Sequence, residues 1–314
     1  MKDAIKKIQM IMLLGFAFAL VACDPSEETA NETGTDPLNV VTTIAQIGEP
    51  LSVIGGDYIH VESLMGPSVD PHLYSPTQSD MSKIGDADLI IYNGLNLEAN
   101  MVEVFDAISE TKPVLAVGDA INEKDLLTDE EGSIDPHIWF DLDLWQEALD
   151  SAVEALKIYQ PEYADYFEAN KQEYFAELAE VKQEAEKLAD IPTSQRILVT
   201  AHDAFGYFGR MHDMEVIGLQ GLSTNSEIGI SDINQTIAII KEHQVPAIFV
   251  ESSINPNAIE AVIAGAENEG ISLKLGGQLY SDAMGEAGTE EGSYLGMYRH
   301  NIETIYHALS EGME

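Results

Sequence analysis

Three shortages frame this 314-residue chain. It has one cysteine, so no disulfide can form within it. It has little positive charge, with 15 Lys and Arg against 55 Asp and Glu, and a net charge of −40. That balance excludes nucleic acid as a partner. Past the first 22 residues there is no apolar run approaching the roughly 18 needed to span a bilayer. The acidity itself tunes solubility and defines no site. Salt screens its pull on cations within about 8 Å.

The first residues set the compartment. Lys2, Lys6 and Lys7 precede an apolar stretch from Met10 to Ala22, the form of a secretory signal peptide. It ends Leu20-Val21-Ala22-Cys23, and a small residue before the lone cysteine resembles a bacterial lipobox. Cleavage there would leave Cys23 as a lipidated N-terminus. Ordinary signal cleavage is the alternative, leaving a periplasmic or secreted chain. Residues 24–37 are polar and acidic with no large apolar side chain, and read as a flexible tether.

About 275 residues remain, enough for one large domain or two of ordinary size. Apolar, β-branched runs near 38–44, 59–64, 88–92 and 114–117 alternate with helical patterns near 47–54, 78–84 and 97–109. Such alternation indicates parallel β/α units. Residues 143–190 differ, with almost no breaker except Pro161. After it, Ala, Glu, Lys and Leu dominate, predicting a helix of about 28 residues and roughly 40 Å. The β/α pattern then resumes, with strands near 196–200, 247–250 and 271–275. Its helices fall near 204–211, 231–243, 256–269 and 294–309. The predicted fold is α/β: two β/α lobes with parallel sheets, residues 38–142 and 191–314, joined by a long rigid helix region over 143–190.

The most informative feature is a local echo. Val69-Asp70-Pro71-His72-Leu73 recurs as Ile134-Asp135-Pro136-His137-Ile138. Proline stiffens the backbone and presents the following imidazole from a restrained loop, which suits a metal ligand. A lone histidine is more often structural. His202, in Thr200-Ala201-His202-Asp203-Ala204-Phe205, follows a buried strand, where open α/β sheets bind ligands. The alternative is a polar residue opening a helix. Asp282, in Leu279-Tyr280-Ser281-Asp282, could be a ligand or a turn aspartate. Glu251 follows the strand 247–250 and is expected to face the cleft and support a ligand. Tyr74, Trp139 and Phe205 pack around the cleft or in plain core. His60, His212, His243, His300 and His307 read as ordinary strand or helix residues.

Six segments in order carry a family resemblance: DPHLYSPTQSDM, ADLIIYNGLNLE, DPHIWFDL, TAHDAFGYF, FVESSINP and GGQLYSDAMG. Over residues 38–312 the chain resembles the metal-binding receptor lipoproteins of zinc and manganese ABC transporters. The resemblance assigns four metal ligands: His72, His137, His202 and Asp282. It implies a metal held between the lobes and delivered to a permease and its ATPase. It also implies a monomer outside the cytoplasm, held to the membrane by a lipid on Cys23, and no enzymatic activity. Zinc members often carry a histidine-rich loop before the second histidine; here Asn122–Ser133 is short and acidic without histidine. Manganese members tend to place Glu at the third ligand, where this chain has His202. Mn2+ is the first expectation, Zn2+ close behind and Fe2+ third. Affinity is expected to fall near pH 6, where imidazole protonates. Two rivals are a surface adhesin and a zinc metallohydrolase. The second is disfavoured because no HExxH-type helix is present.

Overall fold

The computed structural model describes residues 36–310. The leader, Cys23 and most of the tether lie outside the described residues. In the first half, β1 (Leu38–Thr42), β2 (Ile59–Ser63), β3 (Leu89–Tyr92) and β4 (Val114–Ala116) form a sheet in the order β2-β1-β3-β4. Every pairing is parallel, with Val41 opposite both Glu62 and Ile90. Parallel strands need crossovers. These contain α1 (Ala45–Gly55), α2 (Gln78–Asp86) and α3 (Val102–Ser109). Helix α1 buries Ile47, Leu51 and Ile54, spaced along one helical face. Helix α2 opens on a capping box: Asp80 Oδ2 accepts from Thr77 N at 2.7 Å, and Thr77 Oγ1 from Asp80 N at 3.3 Å.

The middle region is a helical hairpin. Helix α4 (Leu142–Tyr159) ends at Gln160, whose φ of −133° leaves the helical region before Pro161. Helix α5 (Ala164–Glu184) returns antiparallel to it. Lys171 pairs with Asp150 at 2.6 Å, Lys182 with Asp143 at 2.6 Å, and Lys157 with Glu168. The predicted 28-residue helix is therefore 21 α-helical residues, about 32 Å, continued by a 3-10 stretch over Ala185–Asp190. Helix α5 acts as a strut. Asn170 Nδ2 donates to Ile54 O in α1 at 2.9 Å, and Glu184 accepts from Arg299 Nε at 2.9 Å near the chain's other end.

In the second half, β5 (Ile197–His202) pairs in parallel with β6 (Glu215–Gln220), and β7 (Ala247–Glu251) with β8 (Lys274–Leu279). Strands β5 and β7 lie side by side. The helices are α6 (Gly206–His212), α7 (Ile230–His243), α8 (Asn257–Asn268) and α9 (Tyr294–Ser310). Strand β6 is absent from the sequence reading, and β8 begins three residues later than expected. Both carry glycine, Gly218 in one and Gly276-Gly277 in the other, which weakens a strand's pattern. The described residues from 37 to 310 cluster as one compact unit. The larger hydrophobic core runs through both halves, from Leu38 to Leu309. No helix among the described residues is long and apolar enough to cross a membrane.

Gly218 has a positional task. A Cβ there would lie 2.4 Å from Asp203 N and 2.6 Å from the carbonyl carbon of His202. Only glycine lets β6 approach the end of β5 so closely. Gly218→Ala is expected to destabilise the fold by about 1–3 kcal/mol, the usual overpacking cost, and to displace His202. Thermal unfolding of the variant checks this.

Candidate metal centre

Each predicted donor lies where a strand has ended or a turn begins. His72 sits in the loop between β2 and α2. His137 precedes a 3-10 turn, Ile138–Phe140, that leads into α4. His202 is the last residue of β5, and Asp282 lies just beyond β8. The structure brings all four together, with one donor atom from each within 4.8 Å of the others. His72 Nε2 is 3.3 Å from His137 Nε2 and 3.8 Å from Asp282 Oδ2. His137 Nε2 is 3.4 Å from Asp282 Oδ1, and His202 Nε2 is 3.3 Å from Asp282 Oδ2. Donors bonded tetrahedrally to a transition ion at about 2.05 Å stand about 3.4 Å apart.

All four are nearly shut off from solvent, at 0–3% exposure. Yet neither Asp282 oxygen, nor His202 Nε2, has a hydrogen-bond partner among the described residues. A buried carboxylate left so is costly by several kcal/mol unless a counter-charge compensates it. Three imidazole nitrogens converging on that carboxylate form a group that could hold a cation.

Carboxylates behind the rings aim them. Asp135 Oδ1 accepts from His137 Nδ1 at 2.7 Å and from His137 N at 2.9 Å. Glu251 Oε1 accepts from His202 N at 2.9 Å, and its Oε2 lies 2.6 Å from His202 Nδ1. Holding the proton on Nδ1 leaves each Nε2 lone pair pointing at the centre. Glu251 thus lies against both the backbone and the ring of His202. Asp135 was missed, although the aspartate is repeated in both copies of the echo. Asp70 Oδ1 makes the same turn, accepting from His72 N at 2.9 Å.

The loops are braced in turn. Buried Glu98 accepts from Thr43 Oγ1 at 2.6 Å and from the backbone of Asn93 and Gly94; Asn93 Nδ2 donates to Pro136 O at 3.0 Å. This is what the Asn-Gly-Leu-Asn-Leu-Glu segment does. Gln46 Nε2 donates to Ser281 O at 3.1 Å, and Asn301 brackets both backbone groups of Tyr280. Tyr207 OH reaches across the halves to Asp135 O at 3.0 Å. The ring of Trp139 meets His137 edge-on, and Phe205 stacks on Phe140, so both are buried packing. Tyr74 instead donates to Asp80 at the start of α2. His60, His243 and His307 are exposed. His212 contacts Tyr298 OH, His300 contacts Gln278 O, and none of these five joins the cluster.

Burial holds His72 down at about 4, with Asp282 opposing. Burial also resists charge on His137, but Asp135 and Asp282 outweigh it and lift the group to about 9. For His202 burial is likewise outweighed, by Glu251 and Asp282, and its pKa stands well above the ordinary range. Asp282 is driven well below the carboxylate range, against burial, by His202, His137 and His72.

A buried set of three imidazoles and one carboxylate, drawn from both halves of an α/β body, could hold a single metal ion, the feature of a metal-binding receptor. The chain belongs to the family described as "Zinc-uptake complex component A periplasmic", whose model matches residues 40–308. It is 44% identical over 302 residues to the manganese-binding lipoprotein MntA of Bacillus subtilis (strain 168), covering 96% of this chain and 98% of that one. It is 43% identical over 303 residues to the zinc-binding protein TroA of Treponema pallidum (strain Nichols), covering 95% of each. The solved structure of periplasmic zinc-binding TroA superposes with a TM-score of 0.86 over 88% of this chain and all (100%) of that one. The family is one of uptake components, which places the chain among receptors and not among enzymes.

The two raised imidazoles set a pH dependence. Without a cation, His137 stays protonated up to about 9 and His202 is raised with it. Both protons must leave Nε2 before a metal can bind. Affinity should therefore climb as pH rises towards about 9, a window higher than the pH 6 expected of ordinary histidine. At pH 7 each ion should displace about two protons. Calorimetry in buffers of different ionisation enthalpy counts them.

Proposed function

We propose that this protein is an extracytoplasmic receptor that encloses one divalent transition-metal ion and delivers it to the permease of an ABC importer. The ligands are His72, His137 and His202 through Nε2, and Asp282 through its carboxylate. The observation that carries the reading is the Asp282 carboxylate, buried without a hydrogen-bond partner and faced by three imidazole nitrogens. Two donors come from each half, so the ion ties the halves and favours the closed form that a permease would recognise. The strut α5 packs on both α1 and α9, which limits the motion to local rearrangement.

Mn2+ and Zn2+ are the expected cargoes, as in the names of MntA and TroA, with Fe2+ a third. Intrinsic affinity places zinc above manganese at an N3O site, so manganese selection would depend on geometry and availability. The protein works as a monomer, anchored by a lipid on Cys23; MntA, the similar relative, is itself named a lipoprotein. A hydrolase would need an open metal position and a free general base. Glu251, the carboxylate nearest that role, accepts from His202 N through Oε1, and its Oε2 stands 2.6 Å from His202 Nδ1. No observation favours an adhesin.

Protein purified without chelator should carry one Mn2+ or Zn2+ per chain by metal mass spectrometry, and competition between the two ions ranks them. Loading at a hundredfold excess over Kd should stabilise the fold by about 2.7 kcal/mol, read as a rise in Tm. His202→Ala or Asp282→Ala should abolish that rise; a wild-type protein indifferent to every divalent ion would sink the proposal. In a separate test, Cys23→Ala should move the protein from the membrane fraction to the soluble one.

A further inference from the structure

The two Asp-Pro-His copies make the same backbone turn but use their carboxylates differently. Asp135 turns back on its own histidine, accepting from the ring as well as the backbone of His137. Asp70 accepts only the backbone N–H of His72 and extends its other oxygen, Oδ2, to Thr224 Oγ1 at 2.5 Å. Thr224 lies 154 residues away, in the loop after β6, and its side chain is largely buried. That loop is itself held. Gln220 Nε2 donates to Thr224 O at 3.2 Å and to Ser226 O at 2.5 Å. Gln220 is the register partner of His202 across the β5–β6 ladder, and its carbonyl accepts from Asp203 N at 3.1 Å.

A continuous path therefore joins two donors from opposite halves without passing through a metal: His202, Gln220, Thr224, Asp70, His72. The same loop, through Gly221, Leu222, Ser223 and Ser226, walls a cavity of about 500 Å³ that His72 also lines. Releasing the loop would open the wall of the cavity beside His72.

Resting on the receptor reading above, we infer that Thr224 is a positioning residue: its hydroxyl latches the second half onto Asp70 and sets how long His72 remains on a bound ion. The latch acts after the ion has arrived, when both halves are in register, so it governs release more than capture. A hydrogen bond to an ionised acceptor in a shielded place is among the stronger ones.

The test measures Zn2+ and Mn2+ release from the full chain by stopped-flow mixing with excess chelator, alongside the association rate of each ion. Thr224→Val keeps the volume and removes the hydroxyl. It should speed release about tenfold, the effect of losing a hydrogen bond to a charged group, and leave association within about twofold. Thr224→Ser should restore release to within about twofold of wild type, a rescue that a packing role would not produce. Should Thr224→Val fail to fold, Thr224→Ala decides the same question. Wild-type release rates in the Val or Ala variant, with the wild type binding metal normally, overturn the latch and leave the receptor reading standing. A wild type that retains neither ion overturns both.

Discussion

The structure depends on one electrostatic constraint: the Asp282 carboxylate is buried among three imidazole nitrogens with no hydrogen bond to neutralise it. Charge in a dry interior must find a counter-charge or be expelled. Without a cation, the proximity of Asp282 and the carboxylates behind the rings draws protons onto His137 and His202. A cation bound among them would displace those protons and take over the role of counter-charge to Asp282.

The surrounding scaffold keeps the exchange in place. Carboxylates stand behind the donors: Asp135 behind His137, Glu251 behind His202, and Asp70 under the backbone of His72. Behind these, Glu98 and Asn93 secure the loop of His137, and Gln46 secures the loop of Asp282 from the opposite half. Such layered support restricts each donor to one orientation. It also makes the two halves interdependent, since Gln46, Tyr207 and Thr224 all reach across.

Much of the β/α alternation was legible in the sequence, because apolar runs and turn residues mark strands and helices directly. Two elements were obscured by glycine. Strand β6 contains Gly218 and β8 contains Gly276-Gly277, which dilute the signal while permitting close contacts around His202 and Phe249. The long helix was legible in composition but not in its partner: Ala, Glu, Lys and Leu announce a helix, whereas the antiparallel pairing of α4 and α5 rests on Lys171–Asp150 and Lys182–Asp143 across the break at Pro161.

For the centre, the sequence by itself determined which residues could coordinate. A repeated Asp-Pro-His, a histidine at a strand end and an aspartate in a loop are chemical statements that need no coordinates. Only the tertiary structure decided that their donor atoms stand within 4.8 Å of one another. It alone also decided that Asp135 and Asp70, each opening an Asp-Pro-His segment, have different second partners. The reason is physical. Local sequence sets the turn around each aspartate, but what lies beyond the turn of Asp70 comes from a segment 154 residues distant, brought there by the burial of a core shared between the halves.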